Sequence, residues 1–160
     1  VHQHFMLVPS LTVAENIVLG MEPKKNGLFD MEEAVKITEE ACKKYNLIVD
    51  PRVAVRDLPV GQKQKVEILK ALYRGADILI LDEPTRGIDV GAKYDIYCLI
   101  NKMVEDGKSV IMISSEMPEL LGMCDRIYVM SEGRLAGEFT AEEATQERIM
   151  ASIMQEQNKK

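Results

Sequence analysis

The 160 residues are 46% apolar and 29% charged, which suffices for one ordinary core and leaves little for a second. Twenty basic against 26 acidic residues give a net charge of −6, and no basic block exceeds Lys24-Lys25, Lys43-Lys44 and Lys159-Lys160, so nucleic acid is excluded as an expected partner. Cys42, Cys98 and Cys124 form no C-x-x-C pair and suggest a reducing compartment, while the lack of any long apolar run or signal-peptide pattern predicts that a membrane is served from outside the bilayer.

Val1 to Phe5 reads as the end of a strand entered in mid-fold, which predicts further chain upstream. Thr12-x-x-Glu15 is a capping-box pattern opening a short helix to Leu19, with Gly20 closing it. Pro23, Lys24, Lys25, Asn26 and Gly27 then read as a polar loop. Asp30 can cap a helix reaching Tyr45, along which Ala34, Ile37, Ala41 and Tyr45 recur at helical spacing. Pro59-Val60-Gly61-Gln62 opens another helix, whose apolar residues Val66, Ile68, Leu69, Leu72 and Tyr73 stop at Gly75.

From there the pattern changes to strand, helix, strand. Ile78 to Leu81 is an all-apolar run expected to form a buried parallel strand, a helix follows over 89–105, and Val110 to Ile113 is a second apolar run beyond Asp106-Gly107. Residues 126–130 and 134–139 flank Ser131-Glu132-Gly133 as a hairpin, and Thr140-x-x-Glu143 is expected to start a helical C-terminus carrying Ile149, Met150 and Ile153.

The strongest chemical signal is Ile78-Leu79-Ile80-Leu81-Asp82-Glu83-Pro84-Thr85, in which a strand delivers two consecutive acids to its carboxyl edge. Open α/β sheets bind ligands at that edge. In phosphate chemistry the first acid holds Mg2+, directly or through water, and the second orients and polarises a water beside the γ-phosphate. The plainer alternative is that both acids cap the following turn. His2 and His4, at alternate positions with no third ligand nearby in sequence, are assigned no chemistry. Most of the ten methionines fall in apolar periodic stretches and read as core.

Seven residues after Asp82 stands Asp89, and upstream lies Leu58-Pro-Val-Gly-Gln-Lys-Gln-Lys65 at a helix start. Together these resemble an ATP-binding-cassette (ABC) ATPase. In that family a signature of the form L-S-G-G-Q-x-Q-R precedes the Walker B acids, and a D-loop aspartate follows them; Leu58, Gly61, Gln62, Gln64, Asp82, Glu83, Pro84 and Asp89 match. The resemblance implies ATP and Mg2+ as cofactors, with Asp82 on the metal, Glu83 as catalytic base, Gly61 and Gln62 on phosphate and Asp89 at the interface with a second cassette. A helix N-terminus with free N–H groups gives the signature its physical sense, since it can bind the γ-phosphate of ATP held by that second cassette. Gln3 takes the place of the family's Q-loop glutamine, with Met6 to Pro9 lining a surface for transmembrane permease subunits, and Ser115 stands where a switch histidine is expected.

The sequence also departs from the pattern. No G-x-x-x-x-G-K-[ST] phosphate loop occurs in it, and Pro59 and Val60 replace the signature's hydroxyl residue and first glycine. Without a glycine-rich cradle and its lysine, ATP bound in cis loses most of its phosphate donors, so the isolated chain is expected to be incapable of turnover.

The fold expected is α/β: an incomplete P-loop NTPase-like ABC cassette over 1–160, with a mainly helical subdomain at 6–70. Residues 71–160 would supply the Walker B half of the parallel-sheet core with a C-terminal hairpin and helix. The expected function is that of an ATP-binding and ATP-hydrolysing subunit of a sugar or nucleoside importer, peripheral on the cytoplasmic face of the cell membrane. A non-catalytic docking module and a non-functional fragment stand beside it as alternatives.

The resemblance is to importers whose ATPase subunit fuses two cassettes, and it changes along the chain. Residues 1–81 resemble the first cassette, whereas Thr85 to Lys93 and Ser114 to Leu121 resemble the second, with a join near Leu81-Asp82-Glu83-Pro84-Thr85. A deletion or recombination between cassettes would produce this pattern. Resequencing the source locus should show either the joined reading frame or two intact cassettes misassembled into one; an ordinary single-cassette gene there would contradict the hybrid reading.

Overall fold

A computed structural model describes residues 6–158. The chain divides into two compact units, one ending at Ile113 and the other beginning at Ser114. The strand end expected at Val1 to Phe5 lies outside the described residues.

The first unit opens with α1 (Val13–Val18), held at its start by the capping box that the sequence predicts. The Thr12 hydroxyl accepts from the Glu15 N–H at 3.2 Å, and the Thr12 N–H donates to Glu15 Oε2 at 2.7 Å. Asn16 is fully buried in this short helix, and its side chain fastens the preceding segment. Its Oδ1 accepts from Val8 N–H at 2.7 Å, while Nδ2 reaches the carbonyls of Val8 at 3.1 Å and Thr12 at 2.9 Å.

Residues 23–27 do not form the plain loop expected. They belong to a small antiparallel hairpin of β1 (Lys24–Lys25) and β2 (Leu28–Phe29), because Asn26 and Gly27 adopt left-handed φ values of 53° and 81°. Two such residues in succession make the turn whose twist matches paired strands. Next, α2 (Met31–Lys44) starts under Asp30, whose carboxylate accepts from Glu33 N–H at 3.1 Å. A 3₁₀ turn at Val55–Asp57 leads into α3 (Val60–Tyr73).

Helices α1, α2 and α3 pack on one another through Val13, Ala14, Ile17 and Val18, through Ala34, Val35 and Cys42, and through Val66, Ile68 and Leu69, all buried. Near its C-terminus α3 also grips main-chain carbonyls. Lys70 Nζ donates to Met6 O at 2.9 Å, Tyr73 Oη to Met21 O at 3.2 Å and Arg74 to Leu19 O at 2.7 Å.

The chain then forms β3 (Ile78–Asp82), crosses through α4 (Val90–Glu105) and returns as β4 (Ser109–Ile113), parallel to β3 with Ile78 opposite Ser109 and Asp82 opposite Ile113. Leu79 and Leu81 are buried, as are Ile96, Leu99, Ile100 and Met103 of α4. The other face of the pair differs from the buried strand expected: Ile78 is 64% exposed and Ile80 53%, with Ile111 and Ile113 alike on β4. An all-apolar run shows that both faces can be buried, not that both have a layer against them.

In the second unit, α5 (Met117–Met123) precedes the hairpin of β5 (Arg126–Ser131) and β6 (Arg134–Thr140). Glu132 and Gly133 turn it, with φ of 49° and 77°. The last helix, α6 (Gln146–Gln157), starts later than expected. Thr140 donates through its N–H and its hydroxyl to the Glu143 carboxylate, and Glu143 N–H donates to the Thr140 carbonyl, but Thr140 ends β6 and pairs with Arg126, so these bonds close only a turn. Thr145 is extended (φ −129°, ψ 156°) and caps α6 through Arg148 N–H. Ile149 of α6 joins Ile127 and Val129 in a small core, with Leu120 and Leu121 of α5 packed against it.

The Asn16 side chain yields a direct test. Asn16→Ala would remove the fully buried side chain that bonds Val8 and Thr12 and should cost about 1–3 kcal/mol in chemical denaturation. A change under about 0.5 kcal/mol would show that the segment is held by other means.

Candidate functional site

Parallel pairing carries Asp82 and Glu83 to the carboxyl edge of β3, opposite the end of β4. Asp82 is the last residue of the ladder and half-buried. Glu83 takes a left-handed backbone with φ of 48°, and its N–H donates to Ile113 O at 2.8 Å. A non-glycine residue pays about 1–2 kcal/mol for that conformation, so the surrounding structure must enforce it. The turn that follows is anchored by buried Thr85 and closed by Arg86 N–H to Glu83 O at 3.2 Å and Ile88 N–H to Thr85 O at 3.3 Å. At the opposite end of the pair, Ser109 N–H meets Asp77 O at 2.9 Å and Lys108 lies 2.7 Å from Asp77 Oδ1. The Lys108 ammonium holds the Asp77 carboxyl below the usual carboxylate range.

The start of α3 is shaped by a residue that cannot cap. Pro59 occupies the N-cap position with no side-chain hydrogen bond, and its carbonyl accepts from the N–H groups of Gln62 and Lys63, both at 3.0 Å. The first turn therefore has no side-chain acceptor at its N-cap, which suits an anionic ligand there. Gly61 is buried because α4 comes close: a Cβ at this position would lie 2.9 Å from Ala92 Cβ and 3.3 Å from Ile88 Cγ2. Asp89 is exposed and caps α4, accepting from Ala92 N–H at 3.0 Å. Gly61, Gln62 and Asp89 thus sit at two adjoining helix starts, and the loop from Asp82-Glu83 leads into the second.

Sequence reasoning missed the ion pair that joins these helices. Lys65 Nζ lies 2.6 Å from Asp95 Oδ2, and the lysine side chain is only 8% exposed. The two residues are thirty positions apart, and no linear pattern relates them. Ser115 belongs to the second unit and is exposed; there its neighbour Ser114 orders the turn, donating to Glu119 and accepting from Glu116 N–H at 3.0 Å. Gln3, along with His2 and His4, lies outside the described residues.

Among the described residues no three His, Cys, Asp or Glu side chains converge as an all-protein metal cage. Magnesium does not need one, since it commonly takes one or two carboxylates and fills its shell with phosphate oxygens and water. A half-buried Asp82 at a strand edge fits that mode.

A family model described as "ABC transporter" matches residues 1–86. The chain belongs to the ABC transporter family. Its relatives include the L-arabinose transport ATP-binding protein AraG of Geobacillus stearothermophilus, 51% identical over 141 residues that cover 86% of this chain and 28% of that protein. The ribose import ATP-binding protein RbsA of Bacillus subtilis is 46% identical, covering 90% of this chain and 30% of its own length. The chain therefore spans under a third of either relative's length. The dimeric ATP-binding cassette MJ0796, in a post-hydrolysis state bound to ADP and Pi, matches with a TM-score of 0.72 at 30% identity, over 88% of this chain and 61% of that one. A nucleotide-free cassette with 20% identity and a TM-score of 0.73 shares the fold. The relatives are thus ATP-binding proteins of sugar importers, and the structure neighbours are ABC cassettes.

The packing at Gly61 can be checked in isolation. Gly61→Ala should destabilise the chain by about 1–3 kcal/mol, because Ala92 cannot swing aside as a long side chain would. Adding Ala92→Gly should return part of that loss in thermal or urea unfolding. A Gly61→Ala variant as stable as the parent would disprove the close contact.

Proposed function

We propose that this chain supplies the Walker B and signature side of an ATP site in the ATP-binding subunit of a sugar or nucleoside importer. The observation that carries the reading is the edge of β3, where Asp82 and a left-handed Glu83 stand together at the end of a parallel pair. Asp82 would hold Mg2+, which when bound supplies charge neutralisation to the phosphates. Glu83 would accept a hydrogen bond from the attacking water and orient it in line with the γ-phosphate. Its backbone, pinned to Ile113, limits the directions in which that carboxylate can point.

In the same reading, Gly61 and Gln62 present the uncapped start of α3 to ATP held by a second cassette, and Asp89 lies at that interface. Gln3 would link the site to transmembrane permease subunits, and Ser115 would occupy the switch position without an imidazole's reach. The mainly helical 6–70 would serve as the subdomain that faces the permease, and 71–160 as the Walker B half of the core. Among the described residues no helix is long and apolar enough to cross a membrane, which suits a peripheral place on the cytoplasmic face.

One observation favours a second reading for the isolated chain. Its sequence holds no phosphate loop, so the donors that would cradle the β- and γ-phosphates in cis do not come from these 160 residues. In that second reading these residues would serve as a docking module for a permease or a complete cassette.

Isothermal calorimetry with Mg-ATP separates the two. Micromolar binding that Asp82→Asn weakens at least about tenfold supports the catalytic reading, with Glu83→Gln binding ATP like the parent. No heat at millimolar Mg-ATP supports the docking module.

A further inference from the structure

Helices α3 and α4 are joined near their starts by two contacts of different kinds. One is steric: Gly61 lets the α3 backbone approach Ala92 and Ile88 more closely than any side chain would allow. The other is electrostatic: Lys65, four residues after Gly61, reaches Asp95, six residues after Asp89, at 2.6 Å. The pair is asymmetric, with the lysine side chain 8% exposed and the aspartate 53%. Burial makes the ammonium dependent on its partner, because removing the carboxylate leaves a charge in a low-dielectric setting. Sliding α3 along α4 would therefore both drive Ala92 away from Gly61 and break the ion pair. The far end of α3 is also fixed, by Lys70, Tyr73 and Arg74 on the carbonyls of Met6, Met21 and Leu19.

We propose that Lys65 and Asp95 are positioning residues that lock the Gly61-Gln62 start of α3 to the Asp89 cap of α4, making the two a single rigid edge. Both segments then meet a partner cassette's nucleotide as one body, and neither can adjust without the other. This rests on the ATP-site reading above. The lock itself is a property of the chain and can be measured without nucleotide.

The experiment is residue-resolved amide hydrogen exchange on the 160-residue chain, comparing the parent with Lys65→Met, Asp95→Asn and the charge swap Lys65→Glu/Asp95→Lys. Two reporters are decisive: the Ala92 N–H, bonded to the Asp89 carboxylate, and the Lys63 N–H, bonded to the Pro59 carbonyl. Each single substitution should speed exchange at both reporters about fivefold or more while α2 amides stay within about twofold, and the swap should bring both back toward the parent. The proposal is overturned if Lys65→Met leaves Ala92 unchanged, if exchange rises equally throughout α2, or if the swap restores neither reporter. A coupled response in a chain that shows no Mg-ATP binding by calorimetry would remove the ATP-site reading and leave the lock standing. Uncoupled reporters in a chain that binds Mg-ATP would do the reverse.

Discussion

Parallel pairing of β3 with β4 is the constraint on which the rest of the candidate site depends. A parallel pair needs a crossover, and α4 provides it, so the helix that Asp89 caps is a consequence of the strand order. The same pairing brings both carboxyl ends to one edge, where Glu83 can donate to Ile113 O. At the amino end the Asp77–Lys108 pair and the Ser109-to-Asp77 hydrogen bond set the register. A slip by one residue would exchange Leu79 and Leu81 for the exposed Ile78 and Ile80 on the buried face, and would separate Glu83 from its acceptor.

Around that pair, α3 is set by contacts at both ends. Its start abuts α4 through glycine and a buried lysine, and its last turns hold the carbonyls of the segment leading into and out of α1. A helix fixed in this way keeps its uncapped N-terminus in a defined position, which an anion-binding end requires more than it requires extra contacts. Pro59 in place of a hydroxyl residue removes a side-chain donor from that end, so in the proposed reading backbone N–H groups and Gln62 would be what meets a phosphate.

Much of this was legible in the sequence wherever the cause is local. The capping residues Thr12, Asp30 and Asp89 each mark a helix start, and the strand run before Asp82 announces the acid pair. The hairpin around Asn26-Gly27 reads in the sequence as a polar loop, because the flanking Lys24 and Lys25 are polar and mask the strands. The Thr140–Glu143 pattern misleads because Thr140 is already committed to the β6 ladder, a non-local fact that a capping motif does not record. Helix α5 carries only seven residues, too few to show a helical period. Gly61 and Lys65 stand out as parts of a motif, yet their partners Ala92 and Asp95 lie thirty or so residues on and are identifiable only once α3 and α4 are packed.

Asp82 and Glu83 are proposed to form the metal-nucleotide edge of an ABC site, and paramagnetic broadening tests that role most directly. Titrating Mn2+-ATP into the isotopically labelled chain should broaden the backbone amide signals of residues 82–85 first, and Asp82→Asn should abolish that selectivity. Broadening that instead falls on the exposed acids Glu32 and Glu33, with residues 82–85 untouched, would contradict the assignment of this edge as the site.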